Sequence, residues 1–167
     1  DIYFDPVLEL EDGTCLTESL PIMEYLEEVM PGVSLCPEGA TARAHMQLLA
    51  RYCDTYLSPG GLFPLFQRVG NPGDAQEALA GLDAELARLQ RLLEFLPDFR
   101  QRELHLGDIA LAPAMDYVHL LGPLFGVEDP TAAYPQVAGW WQWVCEDEAV
   151  RATSEEMRAA VAKLFGG

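Results

Sequence analysis

Positive charge is what this chain has least of. Ten Lys and Arg stand against 27 Asp and Glu, a formal net charge of −17, and such a surface repels a phosphate backbone, which argues against a nucleic-acid partner. Long apolar runs are missing as well. Half of the residues are hydrophobic, yet no stretch approaches the ~20 consecutive apolar residues of a membrane helix. Asp1 to Asp5 show neither the basic start nor the apolar segment of a signal peptide. Cys15, Cys36, Cys53 and Cys145 form no Cys-x-x-Cys pair, and His45, His105 and His119 share no ligand-like spacing with them. Neither a disulfide framework nor a metal site is therefore expected, and scattered thiols in a reducing cytoplasm are the default. No internal repeat or low-complexity segment stands out.

What is there begins at Pro6. Val7, Leu8 and Leu10 make a short β-type run, Asp12-Gly13 suits a two-residue hairpin turn, and Cys15 and Leu16 start the return strand. That strand runs straight into a helix. Thr17, Glu18 or Ser19 can cap it, Pro21 fits its first turn, and Ile22, Leu26 and Val29 repeat at helical spacing. A strand ending in Glu-Ser at a helix start offers free N–H groups, a hydroxyl and a carboxylate at one point. The first two suit a carboxylate or phosphate, and Glu18 suits an ammonium group beside it, so an amino acid's α-carboxylate and α-amino group satisfy both. On spacing alone the same pair is far more often a plain helix cap.

Taken together, Pro6-Val7-Leu8, Asp12-Gly13, Thr17-Glu18-Ser19, Ile22 and Tyr25-Leu26-Glu27 resemble the second half of the glutathione-binding domain of glutathione S-transferases. The resemblance implies that Glu18 and Ser19 hold the γ-glutamyl end of glutathione, that Pro6 is the cis proline, and that Asp5 pairs its backbone with the cysteinyl part. Asp5 departs from the family, which usually has an apolar residue there. In an acidic chain the anionic ligand needs local positive features, and the helix N-terminus with Arg43 or Arg51 is the candidate source.

Beyond Met30, the Pro- and Gly-rich 31–39 stretch reads as a linker, and only helical periods follow. A helix is expected over Thr41–Leu57, broken at Ser58-Pro59-Gly60-Gly61, with Leu62-Phe63-Pro64-Leu65-Phe66 as core. Asp74 with Glu77 signals the start of the clearest helix, in which Leu79, Leu82, Leu86, Leu89, Leu93 and Leu96 step by three and four. Around Leu104 to Ala114 the chain again resembles the transferases, in which Ser or Thr three residues before an Asp caps a buried central helix. Asp108 matches the acid, Leu104 the apolar staple, and His105 stands where Ser or Thr is usual, which weakens the side-chain half of the cap. Asp108 is thus a folding residue, and Asp108→Ala is expected to destabilise by ~1–3 kcal/mol. Pro135 opens a helix whose Trp140, Trp141 and Trp143 cannot share one face, and Thr153-x-x-Glu156 is a capping box for a final helix.

The implied fold is α+β. Residues 1–32 are the C-terminal part of a thioredoxin-like domain, 33–40 a linker and 41–167 an all-α helical bundle domain. The implied activity is binding of glutathione and its transfer to, or use as reductant for, a small electrophile, with no metal. The alternative is a non-catalytic interaction module on the same fold. The resemblance also implies a two-fold homodimer through the first two helices, where Glu24, Glu27 and Glu28 meet Arg43 and Arg51. It further implies a β-α-β-α unit ahead of Pro6 bearing the thiol-activating group, for which five residues are too few. Tyr3 is not assigned that role, and the catalytic residue stays open.

Overall fold

The computed structural model describes residues 6–71, 73 and 75–165. β1 (Val7–Glu9) pairs antiparallel with β2 (Cys15–Thr17), with Val7 opposite Thr17 and Glu9 opposite Cys15. The turn between them is one residue longer than Asp12-Gly13 suggested. The Gly13 N–H donates to the Leu10 carbonyl at 2.9 Å and the Leu10 N–H to the Thr14 carbonyl at 2.8 Å, while Asp12 Oδ1 accepts from the Thr14 N–H at 2.9 Å. Only Gly13 has positive φ, at 83°. This is a type I turn followed by a left-handed glycine, which opens the hairpin to three residues.

β2 leads through Glu18 into α1 (Ser19–Val29). α2 (Ala40–Tyr52) follows the 31–39 segment and does not break at Pro59 as its composition suggested. It continues as a π-helical segment over Cys53–Leu62 and then as α3 (Phe63–Phe66). Wider π turns leave room for a proline that has no N–H to donate. The two glycines at 60 and 61 serve the neighbour instead: a Cβ at Gly81 on α4 (Gln76–Phe95) would stand 2.6 Å from the Gly60 carbonyl oxygen, so the two backbones meet where no side chain fits. Leu62 and Leu65 are core as expected, whereas Phe63 is exposed. Asp74, the expected start signal of α4, lies outside the described residues, and the residue before that helix's first turn is Ala75.

A short 3₁₀ turn (Phe99–Gln101) leads to α5 (Leu106–Leu124), then α6 (Pro135–Val144) and α7 (Glu148–Phe165). Pro135 opens α6 as expected. α7 starts five residues before Thr153, because Asp147 Oδ1 accepts from the Ala149 and Val150 N–H groups at 2.9 and 3.1 Å and caps it there. Thr153 lies in mid-helix, its hydroxyl donating to the Ala149 carbonyl. One core joins these helices: Leu49, Leu57, Leu65, Leu89, Leu111, Met115 and Trp140 are fully buried in it. Trp141 and Trp143 are only partly buried, in keeping with three indoles that cannot share a face. No described helix is long and apolar enough to cross a membrane.

Candidate functional site

Local backbone geometry sets the candidate site at the junction of β2 and α1. Glu18 has φ 72° and ψ 136°, the one described non-glycine residue with positive φ. That conformation is close to a region populated freely only by glycine and costs an ordinary residue ~1–3 kcal/mol. The start of α2 repeats it almost angle for angle, with φ 88° and ψ 143°, and there the residue is Gly39. The same bend is thus made by a glycine at 39 and by a carboxylate-bearing residue at 18.

Neither Glu18 nor Ser19 acts as a side-chain cap. Glu18 makes no capping hydrogen bond, and both residues are exposed. The intrahelical bonds of α1 begin with the Ile22 N–H donating to the Glu18 carbonyl at 3.2 Å. Ser19 and Leu20 therefore have N–H groups with no acceptor one turn back, and Pro21 has none to offer. A hydroxyl and a carboxylate with no side-chain hydrogen-bond partner among the described residues, and two helix N-terminal N–H groups, lie within two residues. The hydroxyl and the N–H groups attract a carboxylate, and the carboxylate attracts an ammonium group.

The other predicted residues fall as follows. Asp5 lies outside the described residues, as does the peptide bond joining it to Pro6. Arg43 and Arg51 are exposed on α2. Two of the three acids expected at a dimer axis are engaged within the chain: Glu24 accepts from Gln47 Nε2, and Glu27 accepts from the Ser34 hydroxyl and, at 3.2 Å, from the Cys36 N–H. These contacts tie α1 to α2 and to the segment between them. The Leu106 N–H fastens that segment to α5 by donating to the Leu35 carbonyl at 3.0 Å.

Asp108 holds the N-terminus of α5 as expected, and His105 is a fuller partner than its departure from Ser or Thr suggested. Asp108 Oδ2 accepts from the His105 N–H at 3.0 Å, and the Asp108 N–H lies 3.3 Å from His105 Nδ1. Sequence reading missed the rest of the network. Arg102 donates to both carboxylate oxygens, at 2.6 and 2.8 Å, and Trp140 Nε1 donates to Oδ1 at 2.8 Å. Burial alone would raise the Asp108 pKa; the hydrogen bonds and charges of Arg102 and His105 outweigh it and hold the carboxyl well below the usual range. An arginine six residues before the acid is a signal too common to have been read in advance. Among the described residues no group of three or more His, Cys, Asp and Glu is arranged to hold a metal.

Solved structures share this architecture. A glutathione S-transferase from Rhodospirillum rubrum superposes with a TM-score of 0.68 at 26% identity, covering 87% of this chain and 68% of that one. A maleylacetoacetate isomerase from Methylobacterium extorquens, crystallised with malonate and GSH bound, gives 0.64 at 29% identity, covering 87% and 70%. The fold is the glutathione transferase fold, a thioredoxin-like hairpin and helix joined to a helical domain. Among curated relatives, glutathione S-transferase L3 of Arabidopsis thaliana is 28% identical over 159 residues, 93% of this chain and 63% of its own length. A probable maleylacetoacetate isomerase of Caenorhabditis elegans is 42% identical over 48 residues, 29% of this chain and 22% of its own. No family model matches the chain. In fold and in sequence, the chain is similar to members of the glutathione S-transferase family. It spans less than two thirds of the length of either curated relative.

Proposed function

We propose that the chain binds glutathione at the junction of β2 and α1 and contributes to a glutathione-dependent reaction of a small electrophile. The γ-glutamyl α-carboxylate takes the Ser19 hydroxyl and the N–H groups of Ser19 and Leu20. Its ammonium group takes the Glu18 carboxylate. The observation that carries this reading is the strained Glu18, without a side-chain partner among the described residues: a carboxylate kept in a glycine-like conformation, without serving as a cap, has a use other than folding. The transferase and isomerase names among the relatives support glutathione chemistry in general, and the electrophile is any small acceptor of thiolate attack. Within this reading residues 1–32 supply the glutathione contacts, 33–40 connect and 41–167 form the all-α part. A homodimer through α1 and α2 and a cytoplasmic location complete the proposal.

Isothermal titration with glutathione tests it. Ser19→Ala and Glu18→Ala are each expected to weaken binding about tenfold or more, the worth of a hydrogen bond to a charged group. Affinities equal to the parent's in both variants would sink the assignment.

A further inference from the structure

A second site lies at the other end of the 31–39 segment, with no lining residue at the β2–α1 junction. A cavity of about 340 Å³ opens between that segment, the first turns of α2, the C-terminal end of α4 and the turn into α5. Leu35, Pro37, Ala42, Leu96, Pro97 and Leu104 give it mostly apolar walls. His105, only 6% exposed, lines it as well.

The state of that imidazole follows from its neighbours. Nδ1 stands 2.9 Å from Asp108 Oδ2. An unprotonated Nδ1 there would set its lone pair against a carboxylate, so the proton belongs on Nδ1, and the Asp108 N–H is served by the His105 carbonyl at 2.9 Å. Nε2 has no hydrogen-bond partner among the described residues and is not counted among the fully buried unpaired atoms. The cavity is where a partner can reach it.

We propose that this cavity binds a small monocarboxylate with a compact apolar body, its carboxylate paired with His105 Nε2. With its proton on Nδ1, Nε2 is an acceptor, so the ligand binds together with the proton of its own carboxyl group, held between the carboxyl oxygen and Nε2. Asp108 is already matched by both arms of Arg102 and by Trp140, so the cluster can share that proton. His45 adds a further basic group to the lining. The remaining charged groups facing the cavity, Glu38 and Glu103, are exposed. Water screens them, but they disfavour a second negative charge, which selects a monocarboxylate over a phosphate or dicarboxylate. Ser or Thr at 105 would also cap α5 but would leave no ring nitrogen facing the cavity, a feature of the histidine that the cap does not use.

Benzoate is the probe, with benzylamine and phthalate as controls, each titrated into the whole chain while the imidazole nitrogens are followed by proton–nitrogen NMR. Benzoate is expected to shift His105 Nε2 saturably, with the controls binding at least about tenfold more weakly. His105→Ser keeps a cap and is expected to retain the thermal midpoint while weakening benzoate about tenfold or more. Ala42→Leu, which fills the cavity and leaves His105 in place, is expected to abolish the shift. Benzoate binding to His105→Ser or Ala42→Leu as tightly as to the parent overturns the proposal, as does benzylamine binding equally well or the absence of any shift in the parent.

Discussion

The hairpin with α1 and the helices from α2 onward are built to different standards. In the helical part, whole side chains vanish: Leu49, Leu57, Leu65, Leu89, Leu111, Met115 and Trp140 have essentially no exposed surface. In the hairpin and α1, Leu20 alone is buried, while Val29 is 52% and Met30 64% exposed. A two-stranded ribbon with one helix buries too little to stand alone, so it takes its order from the helices it leans on. The same region carries the strained Glu18. Strain and thin packing go together here because the helical part supplies the rigidity that the hairpin and α1 lack.

Substitutions can sharpen or break that contrast. The largest effect is expected at Asp108, where Asp108→Ala leaves Arg102, Trp140 Nε1 and the His105 N–H without their acceptor. About 3 kcal/mol of stability should go, read from urea unfolding. That is at the top of the range anticipated from the sequence, since the network has more members than its two-residue motif announced. The pH profile carries the same sign: the carboxyl is depressed in the fold, so its contribution is complete above the ordinary value of 3.8 and drains away as pH falls below it.

His119 should set an earlier acid limit. Its Nε2 is buried without a hydrogen-bond partner among the described residues, and its ring stacks on Trp141 at 5.5 Å between centroids. Burial lowers its pKa from the ordinary 6.5, aided by Arg158 and opposed by Asp129 and Asp116. Because the unfolded chain takes up this proton first, stability should begin to fall as pH drops through about 6.5. His119→Phe keeps a stacked ring, and is expected to remove that step without loss of stability at neutral pH.

Smaller still are the effects expected in the hairpin and α1. Met30→Ser should leave the urea midpoint within about 0.5 kcal/mol of the parent, as for other exposed positions. Glu18→Gly should leave stability level or raised by up to about 1 kcal/mol, strain relief offsetting the freedom of glycine in the unfolded chain. A loss of more than that on Glu18→Gly would mean that the carboxylate holds the fold and not a ligand.

Much of this was legible beforehand because the signals were local. Apolar steps of three and four located α4, Pro135 marked the start of α6, and Glu18-Ser19 marked the strand-to-helix junction. The misreadings share a cause: composition names a residue's habit, and packing decides between habits. Asp12-Gly13 favours a two-residue turn, yet only Gly13 takes positive φ. Pro59-Gly60-Gly61 looks like a break, yet the close approach of Gly81 makes it a contact. Thr153 had a capping pattern, but Asp147 reached the N–H groups first. The positive φ of Glu18 and the convergence of Arg102 and Trp140 on Asp108 depend on distant parts of the chain, and no window of sequence contains them.

The π-helical segment also bears on how the chain tolerates changes of length. Each residue of an α-helix turns the next by roughly 100°, so a register of i to i+5 bonds over Cys53–Leu62 stores slack that an α-helix lacks. Removing one residue there tightens the helix around Pro59, which has no N–H for an α turn, and turns everything after it. Leu65, now fully buried, would rotate away from the core while its sequence stayed the same. Between α2 and α3, single-residue deletions are therefore rotations, and they should be purged even though the segment is rich in the glycine and proline of a permissive loop.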